Sequence, residues 1–274
     1  MTWLRRWGGY LALTIVFAIA CGLLSWWQWA RRAETVADLE RIEANYDADP
    51  VALDDLLPAL SSDDPDAEWH PVVLTGTYLV DEQLIVRNRP RNSLAGFEVL
   101  VPLLLTDGSV FVVDRGWLPQ GSTPERPDSV PAPPAGEVTV VVRLKPGEVE
   151  IPGRSAPEGQ LATIRLPDVA ELVGAPTYTG MYGLLVSEDP APAQERPLAA
   201  FRPAEDEGPH LSYALQWIAF GVLAFIGLIW AVRRERKIAT QGPPPQRREA
   251  DADAEDAILD AEGLRAEGLR PAGR

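Results

Sequence analysis

The segment GPHLSYALQWIAFGVLAF, which begins at Gly208, opens with His210, one of only two histidines in a chain of 274 residues. His210, Tyr213, Gln216 and Trp217 fall together at the mouth of an uncharged apolar run. A neutral imidazole can ligate iron, and aromatic rings beside it can wall a flat apolar ligand. On a helix, His210, Tyr213 and Trp217 share one face by their i, i+3, i+7 spacing. Gln216 lies off that stripe, where it is expected to meet a neighbouring helix. The same residues also read as the wet end of a membrane helix, with Tyr and Trp in the aromatic belt and the histidine among the headgroups. Spacing alone leaves both readings open.

Other chemistry is poorly supplied. A hydrolytic triad needs a histidine beside a serine or cysteine nucleophile. His70 precedes a proline at the start of a strand-like run and is expected to be an exposed turn residue. The single cysteine, Cys21, lies inside an apolar run. One cysteine excludes an intramolecular disulfide, a CxxC redox pair and a multi-cysteine zinc site. No GxSxG, HExxH or P-loop is present,. This pattern favours a binding or assembly protein over an enzyme. A net charge of -15 without a basic, aromatic-interleaved stripe argues against nucleic acid,.

A second constellation is VVDRGWLP at 112–119. Asp114 and Arg115 follow an apolar strand, Gly116 permits a bend, Trp117 can pack and Pro119 stops the strand. Arg87 and Arg89 lie two apart and so share a strand face. A partner-binding surface is expected around Arg115, Gly116, Trp117 and Arg87. The alternative is structural: Arg115 pairs with a carboxylate, Trp117 caps the fold, and the strand arginines form internal ion pairs.

Two apolar segments must position these residues. Residues 8–29 and 211–232 are free of charge. At 1.5 Å per residue each helix is about 33 Å long, enough for a hydrocarbon core of about 30 Å. The first run is too long for a signal-peptide core, and SWWQWARR lacks a small-x-small cleavage site, so it reads as an uncleaved anchor. The second run exits into RRERK and is entered from PAEDEGPH, so the Lys/Arg bias puts both termini in the cytoplasm,. The ends SWWQWARR and HLSYALQW then share one depth. Trp27, Arg31 and Arg32 join His210 there, two cations that can meet the acidic tails of a flat ring.

The expected organisation is a cytoplasmic N-terminus over 1–7, spans over 8–29 and 211–232, an extracytoplasmic β-rich domain over 30–209, and a disordered cytoplasmic tail over 233–274. Residues 31–209 carry 14 Arg/Lys against 31 Asp/Glu. That suits a basic partner, or simply a solvated acidic face. Residues 33–44 keep helical spacing and extend the first helix, and a short helix is expected around 53–57. Strand-like runs cover 70–79, 83–89, 97–105 and 109–117, read as an antiparallel meander. Further strands are expected over 138–145, 161–166 and 178–188, with a helix over 166–174 stopped by Gly174. The fold class is a membrane protein with two transmembrane helices flanking a small, partly closed, antiparallel barrel-like domain with a helix or two.

Four blocks, in order, resemble the surfeit locus protein 1 family: WWQWARR; LTGTYLVDEQLIVRNRPRNSLAGFEVLVPL; DGSVFVVDRGWLP; and HLSYALQW. The family usually has Asn where this chain has Asp114, and Ser25 and Trp26 replace the usual start of the first block. The resemblance implies an assembly factor for haem-copper cytochrome c oxidase. Bacterial members are implicated in receiving haem a and passing it on to the subunit I centre. It makes His210 the candidate iron ligand, with Tyr213, Trp217, Gln216, Trp27, Arg31 and Arg32 around the haem. Subunit I and other oxidase assembly factors are the implied partners, besides membrane lipid. A scaffold that clamps an oxidase subunit without haem, and an unrecognised membrane-anchored enzyme, are the alternatives. With no Arg-rich, acid-poor presequence before the first span, the expected compartment is a bacterial plasma membrane.

Overall fold

A computed structural model describes residues 2–242, together with Ala254, Ala257 and Ile258. The chain divides into two units, one of which is Ala33–Gly208 and the other the two apolar helices, up to Arg32 and from Pro209. Helix α1 (Thr2–Asn45) continues past its apolar run, as the spacing over 33–44 predicts. The short elements β1 (Val51–Ala52) and α2 (Leu53–Leu56) follow.

The strands are β2 (Pro71–Tyr78), β3 (Leu84–Val86), β4 (Gly96–Leu105), β5 (Val110–Pro119), β6 (Glu137–Pro146), β7 (Gln160–Leu161) and β8 (Met181–Asp189). Helix α3 (Leu166–Val173) precedes β8 and ends at Gly174, whose φ of 67° suits a left-handed cap,. The last element, α4 (His210–Gln241), runs beyond the apolar segment that ends at residue 232. Of the tail expected to be disordered over 233–274, residues 233–241 are instead the last turns of α4, and from residue 243 onward all but Ala254, Ala257 and Ile258 lie outside the described residues.

Strands β2, β6, β8, β5 and β4 form a ring, which β4 closes by pairing back onto β2. Gly76 sits at that closing seam. A Cβ there would stand 2.2 Å from the Leu104 carbonyl oxygen, so only glycine lets the strands approach,. Four of the five seams are antiparallel and the fifth, β5 with β8, is parallel. The meander expected of the first four runs holds for β3, β4 and β5. Strand β2 instead pairs with β4 and β6, because closing the ring needs its edge on both sides. The strand expected over 161–166 is reduced to Gln160–Leu161, since Leu166 starts α3. His70, expected to be exposed, is half-buried.

Alternation fills the barrel. Val138, Val140, Val142 and Leu144 of β6 point inward with Val72, Leu74 and Tyr78 of β2 and Phe111 and Val113 of β5,. A second cluster covers the outside of β5, where Val112 meets Val86, Leu100, Ile164, Leu166 and Val169. Buried on both faces, β5 opens on the unbroken apolar run VFVV at 110–113 rather than an alternating one, and goes on to bury Asp114 and Arg115,.

Candidate functional site

In the helical unit, a stripe on α4 is turned inward. Ala214 is buried, and His210, Trp217, Gly221 and Ala224 are half-buried. Their spacing alternates between four and three residues, the repeat of helices packed side by side. On α1 the facing residues include Cys21, Ser25 and Gln28. The Ser25 hydroxyl donates to the Ala214 carbonyl at 3.0 Å. A Cβ on Gly221 would lie 3.6 Å from that of Cys21. Small residues let the backbones approach, and the serine supplies the polar tie that lipid cannot.

His210, the first residue of α4, stands at one end of this seam. Its Nδ1 lies 3.0 Å from the Gln28 side-chain oxygen. That oxygen only accepts, so the contact takes the Nδ1 proton, and in the neutral ring it leaves the lone pair on Nε2,. Tyr213, three residues along α4 from His210, is 47% exposed, and Trp27, next to Gln28 in sequence, is 56% exposed. Trp217 is half-buried and packs edge-to-face on Phe220, with ring centroids 5.8 Å apart. Arg31 is exposed and Arg32 half-buried on α1, one turn beyond Gln28. Gln216, expected between the helices, is instead exposed. The seam follows positions 210, 214, 217 and 221, which turns 216 outward, and Gln28 of α1 makes the polar contact. Gln28, one of the polar residues of SWWQWARR, was given no role by the sequence. Its one signal was its place as the polar residue of WWQW.

In the barrel unit, Arg115 is 1% exposed. It donates to Glu188 at 2.9 Å and to the Pro131 carbonyl at 2.7 Å, and Glu188 also accepts from the Tyr78 hydroxyl at 3.1 Å. Burial, with the Glu188 charge, pushes the Tyr78 hydroxyl far above its usual range. Arg115 thus ties β5, β8, β2 and the Pro-rich loop together from inside. The expected partner contact at Arg115 is corrected: a guanidinium buried against a carboxylate offers nothing to an outside surface.

Gly116 and Trp117 are covered as well. Trp117 exchanges two backbone hydrogen bonds with Leu198, at 2.8 and 2.9 Å, in a strap that leads from β8 toward α4. Gly116 has a φ of 126°, and a Cβ there would be 2.6 Å from the Leu198 oxygen. Trp117 Nε1 donates to the Arg89 carbonyl at 2.7 Å. Arg91 grips the strap, donating to Ala199 at 2.7 Å and stacking on Phe201 at 3.7 Å. Neither Gly116 nor Trp117 is free for the partner contact expected of them, because the strap occupies that edge of β5. Arg89 makes the expected internal ion pairs, with Glu98 at 2.9 Å and Glu148 at 2.7 Å. Arg87 is half-buried and lines a cavity of about 450 Å³ with Arg154 and Thr163.

Beneath the strap is a pocket of about 110 Å³, lined by Glu98, Asp114, Arg91, Trp117 and Phe201 among others. Burial, then the Glu98 charge, pushes the Asp114 carboxyl well up, although Gly116 N–H donates to it at 2.9 Å. Burial raises Glu98 too. Burial would also raise Glu148, but hydrogen bonds from Arg89 and the Ile164 N–H hold it below the usual range. The pocket is smaller than the ~300 Å³ at which small-molecule sites begin. The sequence reading missed Glu98 and Phe201. Glu98 was visible as the lone charge in FEVLVPLLL.

Two long apolar helices meeting along a small-residue seam, separated in sequence by a strapped β-barrel, define a two-span membrane protein. The model of the SURF1 family matches residues 15–222. The chain belongs to the SURF1 family. It is 35% identical over 252 residues to an uncharacterized SURF1-like protein of Mycobacterium tuberculosis, covering 87% of this chain and 90% of that one. A SURF1-like protein of Monosiga brevicollis is 26% identical over 269 residues, covering 89% of this chain and 95% of the relative.

Proposed function

We propose that this protein is an assembly factor for haem-copper cytochrome c oxidase, which receives haem a at the outer end of its helix pair and passes it toward subunit I. The observation that carries this reading is the 3.0 Å contact between His210 Nδ1 and Gln28. Metal-binding histidines characteristically have their second ring nitrogen held by a hydrogen bond, which fixes tautomer and ring direction. Haem is the cargo here, and its iron supplies a Lewis-acidic centre for one imidazole lone pair. Gln28 directs that lone pair, on Nε2, away from the seam. Tyr213, Trp217 and Trp27 offer aromatic surface to a flat apolar ring. Arg31 and Arg32 supply positive charge for propionates at headgroup depth. A ligand exposed at one edge suits a carrier that must release what it holds.

The basic ends Arg5, Arg6 and RRERK support a plasma-membrane topology with both termini in the cytoplasm and the barrel outside,. Haem content decides the matter. The protein purified from cells that make haem a is expected to carry its absorbance, and His210→Ala to lose it. Equal haem in both removes His210 as the ligand. Normal oxidase activity in a deletion strain removes the assembly role.

A scaffold reading draws on a different feature. Leu94, Leu198 and Phe201 stand 62%, 50% and 55% exposed around the strap. Exposed apolar side chains gathered in one place suit docking of an oxidase subunit or another assembly factor. Under this reading Phe201→Ser abolishes co-purification with subunit I, while His210→Ala leaves it intact.

A further inference from the structure

The helix pair is closed at its outer end and open at its basic end. Beyond Gly221, α4 presents Ala224, Gly227 and Ala231 to Tyr10, Leu13 and Thr14 of α1. Side chains this small do not fill the space, and a cleft of about 640 Å³ remains between the helices. Its walls are apolar and aromatic, with Trp7, Tyr10, Leu228 and Trp230. Its mouth is cationic. Arg6 and Arg234 line it, Arg6 paired with Glu235 and Arg234 lying over the Trp230 ring at 5.2 Å. A second cleft, of about 480 Å³, carries Arg233 and Arg236. With Arg5 and Lys237, six basic residues accompany one acidic residue, Glu235, among the described residues at this end of the two helices.

In a bilayer such a cleft is filled by lipid, and its shape and charge select which lipid. An acyl chain suits a dry cleft walled by Leu, Trp and Tyr. A phosphate suits a mouth with Arg6 and Arg234, whose planar guanidinium groups match its oxygens. Basic pockets between membrane helices hold acidic headgroups in this way, whereas a zwitterionic headgroup brings its own ammonium into a crowd of cations. We infer that the cleft between α1 and α4 is a binding site for one acidic phospholipid, its acyl chain between Tyr10 and Gly227 and its phosphate at Arg6 and Arg234. The site lies at the opposite end of the helices from His210 and stands independently of any haem role.

The full chain, extracted in mild detergent, is expected to retain acidic phospholipid enriched over its share of the source membrane, as measured by mass spectrometry. Arg6→Gln with Arg234→Gln is expected to weaken that retention about 30-fold, from the strength of two cations acting on an anionic surface. Gly227→Leu, which fills the cleft, is expected to lose retained lipid while keeping the arginines. A lipid profile equal to that of the bulk membrane, or unchanged in both variants, overturns the site. Wild-type protein in bilayers gives a readout independent of variant folding. Brominated phosphatidylglycerol is expected to quench Trp230 more than brominated phosphatidylcholine at equal mole fraction, with Trp230→Phe as reference. Equal quenching overturns the preference.

Discussion

The imidazole of His210 and the side-chain amide of Gln28 are 182 residues apart in sequence and 3.0 Å apart in space. One is the first residue of α4 and the other lies at the C-terminal end of the apolar run of α1. Loss of a hydrogen bond behind a metal-binding histidine typically costs about 10–100-fold in affinity. On the proposed haem role, Gln28→Leu is expected to weaken haem binding by that order, and His210→Ala to abolish it. Titration of the purified protein with haem, followed by absorbance, checks both. Wild-type affinity in Gln28→Leu removes its positioning role.

Arg115 and Glu188 form a buried pair with no exposure of either side chain. Removing one partner leaves an uncompensated buried charge, and Arg115→Ala is expected to cost about 3–5 kcal/mol. Arg115→Met combined with Glu188→Leu is expected to cost much less, since both charges leave together. Denaturant unfolding of the full chain in detergent measures the two. An unperturbed Arg115→Ala would show that the pair does not hold the barrel.

Asp114 supplies a pH signature. Its carboxyl is raised in the folded protein relative to the usual 3.8, chiefly by burial. The folded state therefore keeps a proton that the unfolded chain has released, and stability falls as pH rises from about 4 toward the raised value. The slope is at most about 1.4 kcal/mol per pH unit. Asp114→Asn, the side chain usual in the resembled family, keeps the shape without the titration. The variant is expected to gain stability relative to wild type as pH increases over that window. Parallel melting-temperature profiles for the two proteins would refute this.

Gly116 holds the strap down. With a φ of 126° and the Leu198 oxygen 2.6 Å from any Cβ, Gly116→Ala must displace one of them. The expected cost is about 1–3 kcal/mol. The expected sign is faster proteolysis within residues 190–208, with Gly108→Ala, whose Cβ meets nothing within 4 Å, as the control for left-handed backbone. Equal cleavage in both variants would separate Gly116 from the strap.

Much of the fold was legible in the sequence because it rests on local patterns. Uncharged 22-residue runs mark helices that cross a membrane, and the alternating Val residues of VTVVVRLK mark a strand with one face in a core. Gly174 marks the end of α3 because only a left-handed cap suits it there. The order of strands around the ring was not legible. Which edge β2 chooses depends on side chains more than twenty residues away and on Gly76, whose role appears only beside Leu104.

The site divides in the same way. Residue type made His210 a candidate ligand, and the four motif blocks carried the family. The sequence also supplied every cation at the helix ends. Only the tertiary structure decided what each side chain faces. It turned Gln216 outward and brought Gln28 to His210, because the seam keeps the 210, 214, 217, 221 repeat. It sank Arg115 into the barrel, where a guanidinium is tolerated only against Glu188. It also laid Leu198 over Gly116. These are contacts between residues distant in sequence, set by packing that no local pattern encodes.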